Sequence, residues 1–86
     1  MLDAEKLTER IRAGLPGAEI EVVDLQGTGD HFQARVVSAA FEGRSTVEQH
    51  RLVYESVQDW LRTGELHALA LKTYTPAQWR NSGGTG

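Results

Sequence analysis

The stretch EIEVVDLQGTGDHFQARVV, residues 19–37, decides the fold that this sequence predicts. Residues 19–25 alternate around the apolar side chains of Ile20 and Val22, as a strand with one buried face does. After Asp30, a second alternating run places three apolar side chains on one face: Phe32, Ala34 and Val36. Because the connection between the two runs contains Gly27 and Gly29, we expect a β-hairpin whose tip is exposed and mobile.

Helical patterns lie on both sides of this hairpin. Apolar residues at three- and four-residue spacing over residues 3–15 predict an amphipathic helix that Pro16 ends. Ser45-Thr46-Val47-Glu48 forms a capping box, which predicts the start of a long helix ending at Gly64. We expect six residues on the buried stripe of that long helix: Val47, Val53, Tyr54, Val57, Trp60 and Leu61.

The last fifth of the chain predicts a strand and a short helix. The run from Leu66 to Tyr74 is short, rich in small and apolar residues, and favours a mostly buried third strand. Thr75-Pro76-Ala77-Gln78 repeats the capping pattern and predicts a final helix that carries Trp79. Residues 81–86 offer no apolar side chain, so we expect one domain over residues 1–80 and a disordered tail.

The order of these elements is α-β-β-α-β-α, which predicts an α+β two-layer domain. The third strand follows the second through a helical crossover, and such a crossover favours a parallel pair. We therefore expect a three-stranded mixed sheet, with an antiparallel hairpin and one parallel strand, packed against helices.

Composition excludes several classes of function. The chain has 86 residues, a net charge of -3 and no cysteine, which excludes disulfides, thiolate nucleophiles and all-cysteine metal sites. Any metal chemistry would use histidine, carboxylate or the sulfur of a partner. We find no hydrolase motif and expect a protein that is not an enzyme. The start MLDAEKLTER lacks signal-peptide features, and no run is long enough for a membrane span, so we expect a cytoplasmic location.

Three histidines are the remaining candidates for chemistry. His50 lies on the predicted buried stripe, where we expect a partly buried residue that makes a structural hydrogen bond. His67 opens the third predicted strand and is a candidate ligand. His31 follows the glycine-rich tip, where an isolated histidine is usually a solvated loop residue. Composition and spacing alone do not choose among these interpretations.

The chain resembles the BolA family over two segments, residues 27–57 and 65–79. Three family signatures carry the resemblance: Phe41-Glu42-Gly43, Gln49-His50-Arg51-Leu52-Val53, and Leu66-His67. The loop GTGDHFQ is similar to that of a bacterial branch that carries histidine where other branches carry cysteine. The resemblance implies a KH-like fold of class II.

The resemblance also implies a partner role. BolA proteins bind monothiol glutaredoxins and share a two-iron two-sulfur cluster with them, in iron–sulfur trafficking or iron sensing. The two family ligands correspond to His31 and His67, while the glutaredoxin and its bound glutathione would supply the sulfur ligands. Imidazole replaces thiolate on such clusters in Rieske centres. Other interpretations stay open: His31 and His67 form a transient zinc site or a contact surface in a complex without a cluster, and the free chain forms a weak homodimer.

The second hypothesis is a KH-like, nucleic-acid-binding transcriptional regulator. Four basic residues could contact a phosphate backbone: Arg44, Arg51, Lys72 and Arg80. The net charge is negative, however, and residues 41–45 contain one glycine where a KH domain uses GXXG. We therefore favour a solvated role for these residues.

Overall fold

The computed structural model describes residues 2–27, 29 and 31–82. The chain forms one three-stranded sheet with the strand order β1-β2-β3, in which β1 and β2 are antiparallel and β2 and β3 are parallel. The elements, in chain order, are α1 Ala4–Gly14, β1 Glu19–Asp24, β2 His31–Val37, a 3-10 turn Ala39–Phe41, α2 Thr46–Ser56, α3 Gln58–Thr63, β3 Ala68–Tyr74 and α4 Pro76–Asn81. The predicted α+β class, mixed sheet and order of main elements are confirmed.

One face of the sheet forms the core with α1 and α2. The apolar face predicted for the hairpin is buried, because Phe32, Ala34 and Val36 are all fully inaccessible. They form one apolar cluster with residues of the helical layer, which include Leu7, Ile11, Val53 and Val57. Burial of these apolar side chains, rather than local helix propensity, holds the helices on the sheet.

The predicted long helix is wrong as a single element. It breaks at Val57, whose φ of -124° and ψ of 15° are not helical, and α3 begins at the next residue. The Ser56 hydroxyl donates to the Val53 carbonyl, and the Val57 amide bonds to Tyr54 three residues back. These local bonds compete with the regular four-residue ladder and tighten the turn.

The predicted stripe of this helix is also wrong at its start. Val47 is 68 % exposed, whereas Gln49 is 4 % exposed. The Gln49 amide nitrogen donates to the carbonyls of Phe41 and Arg44, and its oxygen accepts from the Thr73 hydroxyl at 2.7 Å. A fully bonded glutamine therefore anchors the first turn of α2 to β3, and this anchoring leaves Val47 facing outward.

The prediction of a mostly buried third strand is wrong as well. Only alternate positions of β3 face the core, and Ala68, Ala70 and Lys72 are exposed. The physical reason is that α1 and α2 cover one face of a small sheet, of which β3 forms one edge.

Both predicted capping boxes are present. The Ser45 amide donates to the Glu48 carboxylate, and this bond, together with that of the Ser45 hydroxyl, lowers the pKa of Glu48. Thr75 and Gln78 make the same reciprocal bonds at the start of α4. Helix α4 extends to Asn81, one residue past the predicted domain boundary at residue 80. Of the predicted tail, residues 83–86 lie outside the described residues.

Among the described residues, no helix has the length and apolar character needed to cross a membrane.

Candidate functional site

The loop that leads into β2 is organised by Asp24. Its carboxylate accepts hydrogen bonds from the Gly27 amide at 2.9 Å and from the Gly29 amide at 3.0 Å. Gln26 and Gly27 are exposed, as predicted for the tip, but Gly29 is buried. The loop therefore folds back on the end of β1, although Thr28 and Asp30 lie outside the described residues.

The fold brings His31 and His67 together. His31 is the first residue of β2 and faces Ala68 in the parallel register, while His67 immediately precedes Ala68 rather than opening β3 itself. The centroids of the two imidazole rings are 5.7 Å apart, with 50° between the ring planes. His31 is half-buried and His67 is exposed, so the pair is accessible from solvent.

The pair brings two imidazole side chains, a residue type that can bind a metal through nitrogen, to one place in the fold. In the described part of the chain, no group of three or more histidine, cysteine, aspartate or glutamate side chains could hold a metal ion. Because the sequence contains no cysteine, thiolate ligands would have to come from another molecule. Two imidazole nitrogens make up half of the four ligands that a tetrahedral metal site uses.

His50 lies apart from this pair, on α2. It is half-buried, contacts the ring of Tyr54 edge-on at 6.5 Å, and lines a depression of about 340 Å³ with Val47 and Arg51. Its side chain makes no hydrogen bond to any described residue. The predicted structural hydrogen bond is therefore wrong, because the buried position on this turn of α2 belongs to Gln49.

The four basic residues proposed for nucleic-acid contact lie on different parts of the fold. Arg44 precedes α2 and donates to the Ala40 carbonyl, and Arg51 is exposed on α2. Lys72 is exposed on β3, and Arg80 is exposed on α4. Since α2 packs on the core face and Lys72 projects from the other, the fold separates Arg51 from Lys72 rather than clustering them.

The sequence interpretation missed the two apolar residues beside the histidine pair. Val23 is 49 % exposed and Leu25 is 54 % exposed, and the Leu25 amide donates to the His31 carbonyl at 2.9 Å. The available signal was the end of the first run, where Val23 and Leu25 follow Glu21 at the outward positions with apolar side chains, although a solvated strand face would be polar.

Comparison with known proteins places the chain in a family. The family model for BolA-like protein matches residues 12–78. A BolA-like protein of Dictyostelium discoideum is 40 % identical over 60 residues, which cover 70 % of this chain and 53 % of the relative. BolA-like protein 1 of Mus musculus is 48 % identical over 56 residues, which cover 65 % of this chain and 40 % of the relative. The chain thus spans about half the length of these two relatives.

Solved structures agree with this match. A bol-like protein from Babesia bovis is 28 % identical with a TM-score of 0.84, covering 96 % of this chain and 95 % of that one. The BolA domain of SufE1 from Arabidopsis thaliana is 40 % identical with a TM-score of 0.76, covering 86 % and 92 %. Yeast Fra2 is 36 % identical with a TM-score of 0.74, covering 91 % and 84 %. The sequence and the fold of this chain together show that it belongs to the BolA-like protein family.

Proposed function

We propose that this protein is a non-enzymatic partner of a monothiol glutaredoxin and co-ligates a shared two-iron two-sulfur cluster through His31 and His67. The observation that carries the proposal is the 5.7 Å separation of the two imidazole rings at the junction of β2 and β3. The parallel register between these strands creates the pair from residues that are 36 positions apart in sequence. Iron–sulfur trafficking and iron sensing are both consistent with such a shared site.

The residues present fit one half of a cluster site. Two neutral imidazoles supply nitrogen ligands, as in Rieske centres, but no negative charge to balance the iron. The glutaredoxin cysteine and glutathione supply the thiolates that this chain lacks. We therefore expect the isolated chain to hold no stable cluster. The alternative of a nucleic-acid-binding regulator has weaker support, because Arg51 and Lys72 lie on opposite faces and the net charge is negative.

The test is anaerobic reconstitution with a monothiol glutaredoxin, glutathione, iron and sulfide, followed by visible absorption, circular dichroism and size-exclusion chromatography. We expect a heterodimer whose visible spectrum differs from that of the glutaredoxin homodimer. His67→Ala should remove most of this distinct spectrum without changing the melting temperature, because His67 is exposed. His50→Ala is the matched control, since it removes an imidazole from α2, and it should leave the spectrum unchanged.

Two results would contradict the proposal. One is a stoichiometric chromophore on the isolated chain, and the other is an identical heterodimer spectrum for wild type and His67→Ala. Fluorescence anisotropy with single- and double-stranded probes tests the alternative. Tight binding that survives added salt would favour a nucleic-acid function.

A further inference from the structure

The sheet face turned away from α1 and α2, here called the outer face, is divided into two halves. Cross-strand neighbours lie on the same side of a sheet, so the register gives the composition of each row. At the start of β2 the rows are uncharged: Leu25, His31 and Ala68 in one, and Val23, Gln33 and Ala70 in the next. The following row is charged and consists of Glu21, Arg35 and Lys72. We call the two uncharged rows, together with His67, the histidine end.

The other half begins at Arg35 and includes Val37 and Tyr74. We call it the tryptophan end, because Trp79 of α4 lies over it. Helix α4 places the Trp79 ring 4.4 Å from the Arg35 guanidinium carbon and 5.1 Å from the Tyr74 ring. Val37, at the end of β2, is only 5 % exposed although it belongs to the outer face. No comparable element of the described chain lies over the histidine end, where Val23 and Leu25 remain about half exposed.

The exposed apolar side chains are unevenly distributed. Three large hydrophobic residues are exposed among the described residues, and two of them, Val23 and Leu25, are at the histidine end. The third, Val47, lies on α2 in the other layer. Exposed apolar side chains beside a functional site are typical of protein contact surfaces. Since the described positions of this end carry no charged side chain, covering it leaves no buried charge unpaired.

We propose that the histidine end is the docking surface for the thiolate-carrying partner, with Val23 and Leu25 as its apolar anchors. This inference rests on the proposed function. A partner that brings thiolates to His31 and His67 must approach the pair closely, and Leu25 is hydrogen-bonded through its backbone to His31. The same approach therefore covers the neighbouring apolar rows, which span about 10 Å across three strands.

The charged row of the outer face marks the boundary of this docking surface. The contact patch of the partner should be uncharged where it covers Val23, Leu25 and Ala70, because an unpaired charge buried there would be costly. The row of Glu21, Arg35 and Lys72 then forms the polar rim, where Arg35 already pairs with Glu21 at 3.4 Å. Lys72 is exposed and lies at the edge of the contact.

The experiment compares Val23→Glu, Leu25→Glu and their double variant with Val47→Glu as the matched control. All three positions are exposed, so the variants should fold, and thermal melting checks this. Isothermal titration with apo glutaredoxin and anaerobic titration with the cluster-loaded form measure the affinities. We expect each outer-face variant to weaken both complexes by about tenfold or more, since a carboxylate would be buried against an apolar patch. Val47→Glu should bind as wild type.

The outcomes separate this inference from the function on which it rests. If wild type forms no complex and no shared chromophore, the proposed function fails and the docking surface fails with it. If wild type forms the complex, His67→Ala removes the chromophore, and the double variant still binds as wild type, the function stands and the docking surface is wrong. Equal weakening by Val47→Glu would also overturn the inference, because the effect would then be unspecific.

Discussion

The two ends of the outer face have the same strand pairing and different surroundings. At the tryptophan end, α4 lays an aromatic ring across Arg35 and Tyr74 and completes the fold. At the histidine end, the rings of His31 and His67 and the side chains of Val23 and Leu25 are left accessible. The difference shows that strand alternation alone does not determine what a sheet face does. The element that follows the last strand determines which half is structural.

The largest effect on stability is expected at the tryptophan end. Trp79→Ala removes a half-buried ring that contacts Arg35 and Tyr74. We expect the free energy of unfolding to fall by about 2 kcal/mol, which is below the value for a fully buried aromatic ring. Urea unfolding measures the loss of stability. Titration with glutaredoxin at low temperature measures whether the variant still binds its partner. Wild-type stability in this variant would mean that α4 does not hold the outer face.

A smaller loss of stability, with a larger functional effect, is expected from Asp24→Ala. The carboxylate accepts from the amides of Gly27 and Gly29 and so orders the loop before His31. Its removal should cost about 1 kcal/mol. Because the loop then orients His31 less well, cluster release from the heterodimer should be faster than in wild type. Asp24→Asn, which keeps the acceptor oxygen, should restore part of both properties. Unchanged release would place the loop outside the site.

His50→Ala tests whether a family-signature histidine in the helical layer behaves like the pair. Its ring is half-buried and contacts Tyr54, without a hydrogen bond to any described residue. We expect the free energy of unfolding to change by no more than about 0.5 kcal/mol. Chemical denaturation is a sufficient measurement. A loss of several kcal/mol would show that this ring has a structural role that the contacts do not reveal.

The smallest effect concerns the contribution of Glu48 to acid stability, at the start of α2 and outside both ends of the outer face. The Ser45 amide and hydroxyl hold the pKa of Glu48 below its ordinary value. The folded state therefore gains stability from the ionised carboxylate at neutral pH and loses it as pH falls through that lowered pKa. Glu48→Gln should flatten the acid side of a plot of melting temperature against pH. A slope identical to that of wild type would exclude Glu48 as a contributor.

Much of the fold was predictable because local chemistry specifies it. The capping boxes at Ser45 and Thr75, and the alternation that buries Phe32, are properties of neighbouring residues. The candidate ligands His31 and His67 came from the family resemblance, since the pattern around each was compatible with a solvated residue. The error at Val47 arose because spacing alone cannot tell which turn of a helix contacts the sheet. The break at Val57 comes with local hydrogen bonds of Ser56 and Val57, which the apolar spacing does not indicate.

The sequence by itself determined the order of the main elements, the mixed sheet and the absence of cysteine, because these follow from residue type, short-range spacing and the helical connection between β2 and β3. Only the tertiary structure decided that His31 and His67 meet, since the register of β2 on β3 joins residues distant in the chain. It also decided that Trp79 covers one end of the outer face and leaves Val23 and Leu25 exposed at the other. Long-range packing fixes both outcomes, and no local pattern contains it.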